Sequence, residues 1–142
     1  MRNKFMPTFI AIVRWIALLP VAVLAGWLGY FLMAWAWNIS LTMQGIDLTE
    51  FRIRALHMAA SGLAMGAAFV YGGTYTAPSY RSHIAVSLAI LAGLFFGATI
   101  TLAIVMADDP DYWAIWQGLC LVLGAGVSAI VITTEGLRNP LW

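Results

Sequence analysis

The sequence predicts an all-α polytopic membrane protein of four transmembrane helices with both termini in the cytoplasm. Hydrophobic residues fill 63% of the 142 positions and charged residues only 9%, against about 25% charged in an ordinary soluble domain. Every acidic or basic side chain falls outside four apolar stretches, each about 20 residues long, the length that crosses a hydrocarbon core of about 30 Å as a helix. The basic residues are also unevenly shared between the two sides, which sets the orientation.

The spans fall at 15–37, 55–77, 84–106 and 112–133, within one domain covering 1–142. Helices are preferred to barrel strands because the runs are continuously apolar, whereas barrel strands alternate over about ten residues. Backbone groups in lipid must also find partners within their own segment. The first run is too long for a cleavable signal and is interrupted by Pro20, so it is expected to stay in the protein.

With four spans the termini share one side, which collects Arg2, Lys4, Arg14, Arg81 and Arg138, while the other holds only Arg52 and Arg54. Basic residues near span ends are retained in the cytoplasm, so the termini and the 76–83 loop are expected inside. The lone cysteine, Cys120, excludes an internal disulfide and a CxxC redox pair. A formal net charge of +1 without a basic run gives no footprint for nucleic acid.

Capping chemistry marks the helix starts. Asp47-Leu48-Thr49-Glu50 fits a capping box, with Asp47 accepting an orphan N–H and Glu50 reaching back to it. In Asp109-Pro110-Asp111 an acceptor precedes a proline at the first helical position, with an acid in the first turn. Ala77-Pro78-Ser79 sets the turn into the third helix. In the first helix, Pro20 removes a ladder bond to Ile16 and predicts a kink or a break. A break would lay residues 8–19 along the cytoplasmic interface, and Arg14 would snorkel to the headgroups with or without it.

Small residues follow helical spacing. Ala22, Gly26, Gly29, Met33 and Ala36 share a face of the first helix, opposite Trp27, Phe31 and Trp35. Gly62-x-x-x-Gly66 and Gly93-x-x-x-Gly97 sit mid-span, and Gly118 lies in the fourth helix. Helices in lipid have no hydrophobic drive toward each other, so close backbone approach at such residues predicts packing seams, within the chain or between copies. Trp15, Trp35, Trp37, Tyr75, Tyr80, Tyr112, Trp113, Trp116 and Trp142 mostly fall near span ends, as interfacial belts do.

His57 and His83 invite a test for bis-histidine haem ligation. They fail it, because they lie at opposite ends of neighbouring spans. His57 instead heads a mildly polar seam with Ser61, Ala64, Ala68 and Tyr71, at the depth of Gln117 in the fourth span. A hydrogen-bonded structural pair of His57 and Gln117 is expected, since polar groups in lipid need partners whatever their function. Asp108, Asp109 and Asp111 offer oxygens to a divalent cation, but helix capping accounts for two of them. No spacing typical of a catalytic metal occurs. No acid or base lies deep inside a span, which disfavours a proton-coupled transporter, and no nucleophile has a base beside it.

Arg14-Trp15-Ile16 with Leu19-Pro20 and Ala22, and Ala77-Pro78-Ser79-Tyr80-Arg81 opening the third helix, resemble a group of small four-helix bacterial membrane proteins. That group often shows Ala-Pro-Ser-His-Lys at the central turn, where this chain has Tyr80 and Arg81 in the last two places. The resemblance implies a bacterial inner membrane and no particular activity. The expectation is therefore a non-catalytic inner-membrane protein without cofactor, an accessory or structural subunit or a self-associating bundle, whose partners are the bilayer and either another protein or copies of itself. The alternative is an oligomeric channel or small-solute transporter lined by the His57–Tyr71 seam.

Overall fold

The computed structural model describes residues 5–45, 50–77, 79–106 and 111–138. Within them the chain forms α1 (Phe5–Gln44), α2 (Phe51–Thr76), α3 (Arg81–Met106) and α4 (Tyr112–Arg138). Each contains a run long and apolar enough to cross a membrane. Continuous Ala, Leu, Ile and Gly content explains this, because such residues satisfy the helical ladder without offering the backbone competing side-chain partners.

α1 has 40 residues, about 60 Å at the helical rise, and greatly exceeds the expected span. It also runs through Pro20 as one helix, so the break that was considered there is not found. Proline removes a single ladder bond. The next turn is held against α2 by fully buried Ala22 and by Gly26, which faces Phe69 and Met65. α1 stops at Gly45, whose φ of +66° suits glycine and whose N–H bonds the Thr42 carbonyl at 3.2 Å.

Two helix starts differ from the sequence expectation. Glu50 does not reach back from inside α2. It is itself the N-cap, in extended conformation, and makes no side-chain cap bond; Asp47 lies outside the described residues. Likewise Asp111 caps α4, its Oδ1 accepting from the N–H groups of Trp113 at 3.0 Å and Ala114 at 3.4 Å. Asp109 and Pro110 lie outside the described residues. At α4 the shift has a simple cause: a side chain caps best two or three residues before the N–H it satisfies, and Asp111 already stands in that place. Before α3, Ala77 is extended, as residues preceding proline are, and Tyr80 adopts a left-handed φ of 56°.

α2 is the hub. It packs against α1, α3 and α4, α3 also packs against α4, and α1 packs closely against α2 alone. Contacts of Gly62 with Gln117 and Cys120, and of Gly66 with Leu121 and Ala125, show that α2 and α4 run parallel. The apolar core gathers at the end carrying both termini. There Leu18 and Ala22 of α1, Val70 of α2, Ile84, Ala85 and Leu88 of α3 and Ala125 and Ala129 of α4 are buried together. At the opposite end α3 exposes Leu94, Phe95, Leu102, Ile104 and Val105.

Candidate functional site

The glycines sort into two groups. A Cβ placed on Gly62 would fall on the Gln117 carbonyl, one on Gly66 on the Leu121 carbonyl, and one on Gly118 inside the Phe96 ring. Gly29 approaches α2 so closely that a Cβ there would stand 2.6 Å from Ala68 Cβ and 3.0 Å from the Ala64 carbonyl. Gly93 and Gly97 differ. A Cβ on Gly93 would meet only Val122, at 4.0 Å, and one on Gly97 would meet nothing within 4 Å. The seam expected at Gly93 and Gly97 is thus not an internal crossing, because α3 meets α4 through the Phe96 ring seated on Gly118. Gly72, Gly73 and Gly124 also lie at crossings and were missed. None of them has a second glycine four residues away, the pattern that marked Gly62, Gly66, Gly93 and Gly97.

His57 does not pair with Gln117. Its ring packs edge-on against Trp37 of α1, with centroids 6.3 Å apart, and its Nδ1 and the Trp37 Nε1 are both sealed from solvent without a hydrogen-bond partner. Gln117 contributes its backbone to the α2–α4 crossing at Gly62. The hydroxyl of Ser61 donates to the carbonyl of His57 at 2.8 Å, one turn back in its own helix. The buried Thr74 hydroxyl does the same to Val70 at 2.7 Å. These hydroxyls are spent on the backbone and face no base. Ala64 and Ala68, the middle of the same seam, lie under Gly29, so α1 covers this face.

No known protein family, curated protein or solved structure matches the chain. What it does must be read from its own residues. Among the described residues no three His, Cys, Asp or Glu side chains gather as a metal would require. His83 lies in the first turn of α3, its ring 6.4 Å from that of Tyr80, at the other end of the bundle from His57.

Two polar clusters were not foreseen. Arg14 donates from Nε to the Thr76 carbonyl at 2.9 Å, and from Nη2 to Tyr75 at 3.1 Å and Ala77 at 3.4 Å. It thereby serves orphan carbonyls at the end of α2. At the opposite end Arg54 stacks over Trp113, its guanidinium carbon 4.7 Å from the ring centroid, beside Phe51 at 5.2 Å. One turn on, Trp116 Nε1 donates to the Ala55 carbonyl at 3.0 Å. Both clusters join residues about 60 positions apart, and only a known helix pairing reveals such contacts.

Proposed function

We propose that this is a non-catalytic integral protein of a bacterial inner membrane, with both termini cytoplasmic, that associates sideways with copies of itself. The observation that carries the reading is the open face of α3. Gly93, Gly97 and Thr101 recur every fourth residue, Gly97 meets nothing within 4 Å, and Thr101 directs its hydroxyl back to the Gly97 carbonyl at 2.8 Å. Small residues that serve no internal crossing, on a helix half that exposes Leu94, Phe95, Leu102, Ile104 and Val105, fit a second helix approaching through the lipid. An accessory subunit seated on the same face is the other form of this reading. Spent hydroxyls and the unpaired His57 support the non-catalytic part.

A channel lined by the His57–Tyr71 seam fits less well. α1 covers that seam at Ala64 and Ala68, and conduction along it would require the α1–α2 crossing to open.

The test uses Thr101→Cys in a Cys120→Ala background, oxidised in native membranes. A disulfide-linked dimer is expected, lost when Gly97→Leu is added. A monomer at every oxidant concentration, with the chain still inserted, removes self-association. Stoichiometric copurification of a different protein, abolished by Gly97→Leu, would instead identify an accessory subunit.

A further inference from the structure

α1 outruns its neighbour. The Arg14 guanidinium meets the last turn of α2, and on the far side of Arg14 the helix continues to Phe5. Ile10, Ala11, Ile12 and Val13 stand on that extension, and Ile10, Ile12 and Val13 are 54%, 52% and 47% exposed. At about 100° per residue their side chains leave the helix in different directions, so this turn has no polar side to show to water. A helix stretch that is apolar all round belongs inside a protein or in lipid. A docked protein covers one side of such a stretch, whereas lipid covers every side.

The last turn of α2 draws its donors from the protein. The carbonyls of Tyr75, Thr76 and Ala77 accept from Arg14 at 3.1, 2.9 and 3.4 Å, and that of Gly73 accepts from the N–H of Ala77 at 3.2 Å. The hydroxyls of Thr74 and Thr76 turn back to the carbonyls of Val70 and Gly72 at 2.7 and 2.8 Å. A helix end in water leaves its final carbonyls to solvent, but one in hydrocarbon must find its donors within the protein. A guanidinium is tolerated at such a depth when it meets backbone carbonyls, as Arg14 does.

We infer that lipid acyl chains cover Ile10, Ile12 and Val13. The hydrocarbon boundary on the side of the termini then lies at Ile10, with Arg14 and the last turn of α2 one helical turn beneath it, about 6 Å. Tyr80 and His83, exposed polar side chains at that end, are long enough to reach headgroups across one turn. The apolar run of α1 from Ile10 has 35 residues, about 52 Å at the helical rise, so α1 crosses tilted in a locally thickened bilayer. The inference rests on the membrane reading above and not on association through α3.

Single cysteines in a Cys120→Ala background supply the test, in open membrane fragments where a membrane-impermeant maleimide reaches both faces. Ile12→Cys and Val13→Cys should stay unlabelled until the membranes are dissolved in SDS, as should Leu24→Cys on the exposed mid-span side of α1. Ser79→Cys, in the exposed turn before α3, should label at once. After reconstitution, a fluorophore carried by Ile12→Cys or by Val13→Cys should be quenched by brominated phosphatidylcholine. Labelling of either variant while Leu24→Cys stays protected overturns the inference. Labelling of all three removes the membrane reading itself. Protection without quenching at either position gives that side of α1 to a protein and overturns lipid cover. The occupant is then a second copy if adding Gly97→Leu restores labelling, and a different protein if it does not.

Discussion

The Nε of Arg14 donates to the carbonyl of Thr76 at 2.9 Å across 62 residues of sequence. This bond fixes the level of α1 against α2. Residues 5–13 of α1 extend beyond the end of α2, and a side chain that sequence alone sends outward to headgroups is turned inward onto a helix terminus. A helix end has four carbonyls without intrahelical donors, and a guanidinium answers them with both hydrogen bonds and charge.

Arg14→Ala should therefore destabilise the bundle in detergent by about 1.5–3 kcal/mol, the range for hydrogen bonds to a charged group. Arg14→Lys should recover only part of this, because an ammonium lacks the fork that reaches Tyr75, Thr76 and Ala77 together. Equal melting of wild type and Arg14→Ala would show that the contact adds nothing.

Gly66 and Gly97 should behave oppositely although both occupy a Gly-x-x-x-Gly pattern. Gly66→Ala places a methyl on the Leu121 carbonyl and 2.8 Å from the Ala125 nitrogen, backbone atoms that move only if α2 and α4 separate. A loss of about 1–3 kcal/mol is expected, typical of overpacking. Gly97→Ala meets open space and should leave the unfolding of a detergent monomer unchanged. The order of the two melting midpoints decides the matter, and a larger loss at Gly97 would contradict the packing of α3.

Among the described residues, His57 and Trp37 carry the sealed nitrogens that lack partners. An unsatisfied buried polar group costs its desolvation, so His57→Phe, which removes one such group while keeping a ring against Trp37, should keep or raise the melting midpoint. A hydrogen-bonded histidine would behave otherwise. If His57→Phe lowers stability by more than about 1 kcal/mol, the worth of one ordinary hydrogen bond, then His57 does have a partner.

Orientation is checked by single cysteines in a Cys120→Ala background. Asn3, Ser79 and Asn139 substitutions should resist an impermeant reagent applied outside intact cells, and Gly45 and Asp109 substitutions should label. The expectation rests on five basic residues at one end against two at the other. Labelling at Asn3 or Asn139 would reverse it.

Which helices exist was legible in the chain, because apolar length and the exclusion of charge from four stretches are local properties. The end of α1 at Gly45 could have been read from glycine chemistry. The caps of α2 and α4 were expected a few residues early, since the tetrapeptide from Asp47 and the Asp-Pro pair at 109–110 each offered a capping pattern ahead of the residue that stands at the N-cap, whereas the fourth span was expected to begin at Tyr112, where α4 does begin.

By itself, then, the sequence determined four apolar helices and some of the glycines at which they approach closely, Gly29, Gly62, Gly66 and Gly118 among them. Tertiary structure alone decided which glycines are used: Gly62, Gly66 and Gly118 are, and Gly97 is not. It also decided that α2 packs against α4 as well as α1, that His57 meets Trp37 instead of Gln117, and that Arg14 ends on Thr76. The physical reason is that a helix of small and aliphatic residues presents several usable faces. Dispersion contacts scarcely differ among those faces until a particular neighbour is in place, so the choice belongs to the packed bundle and not to any one segment.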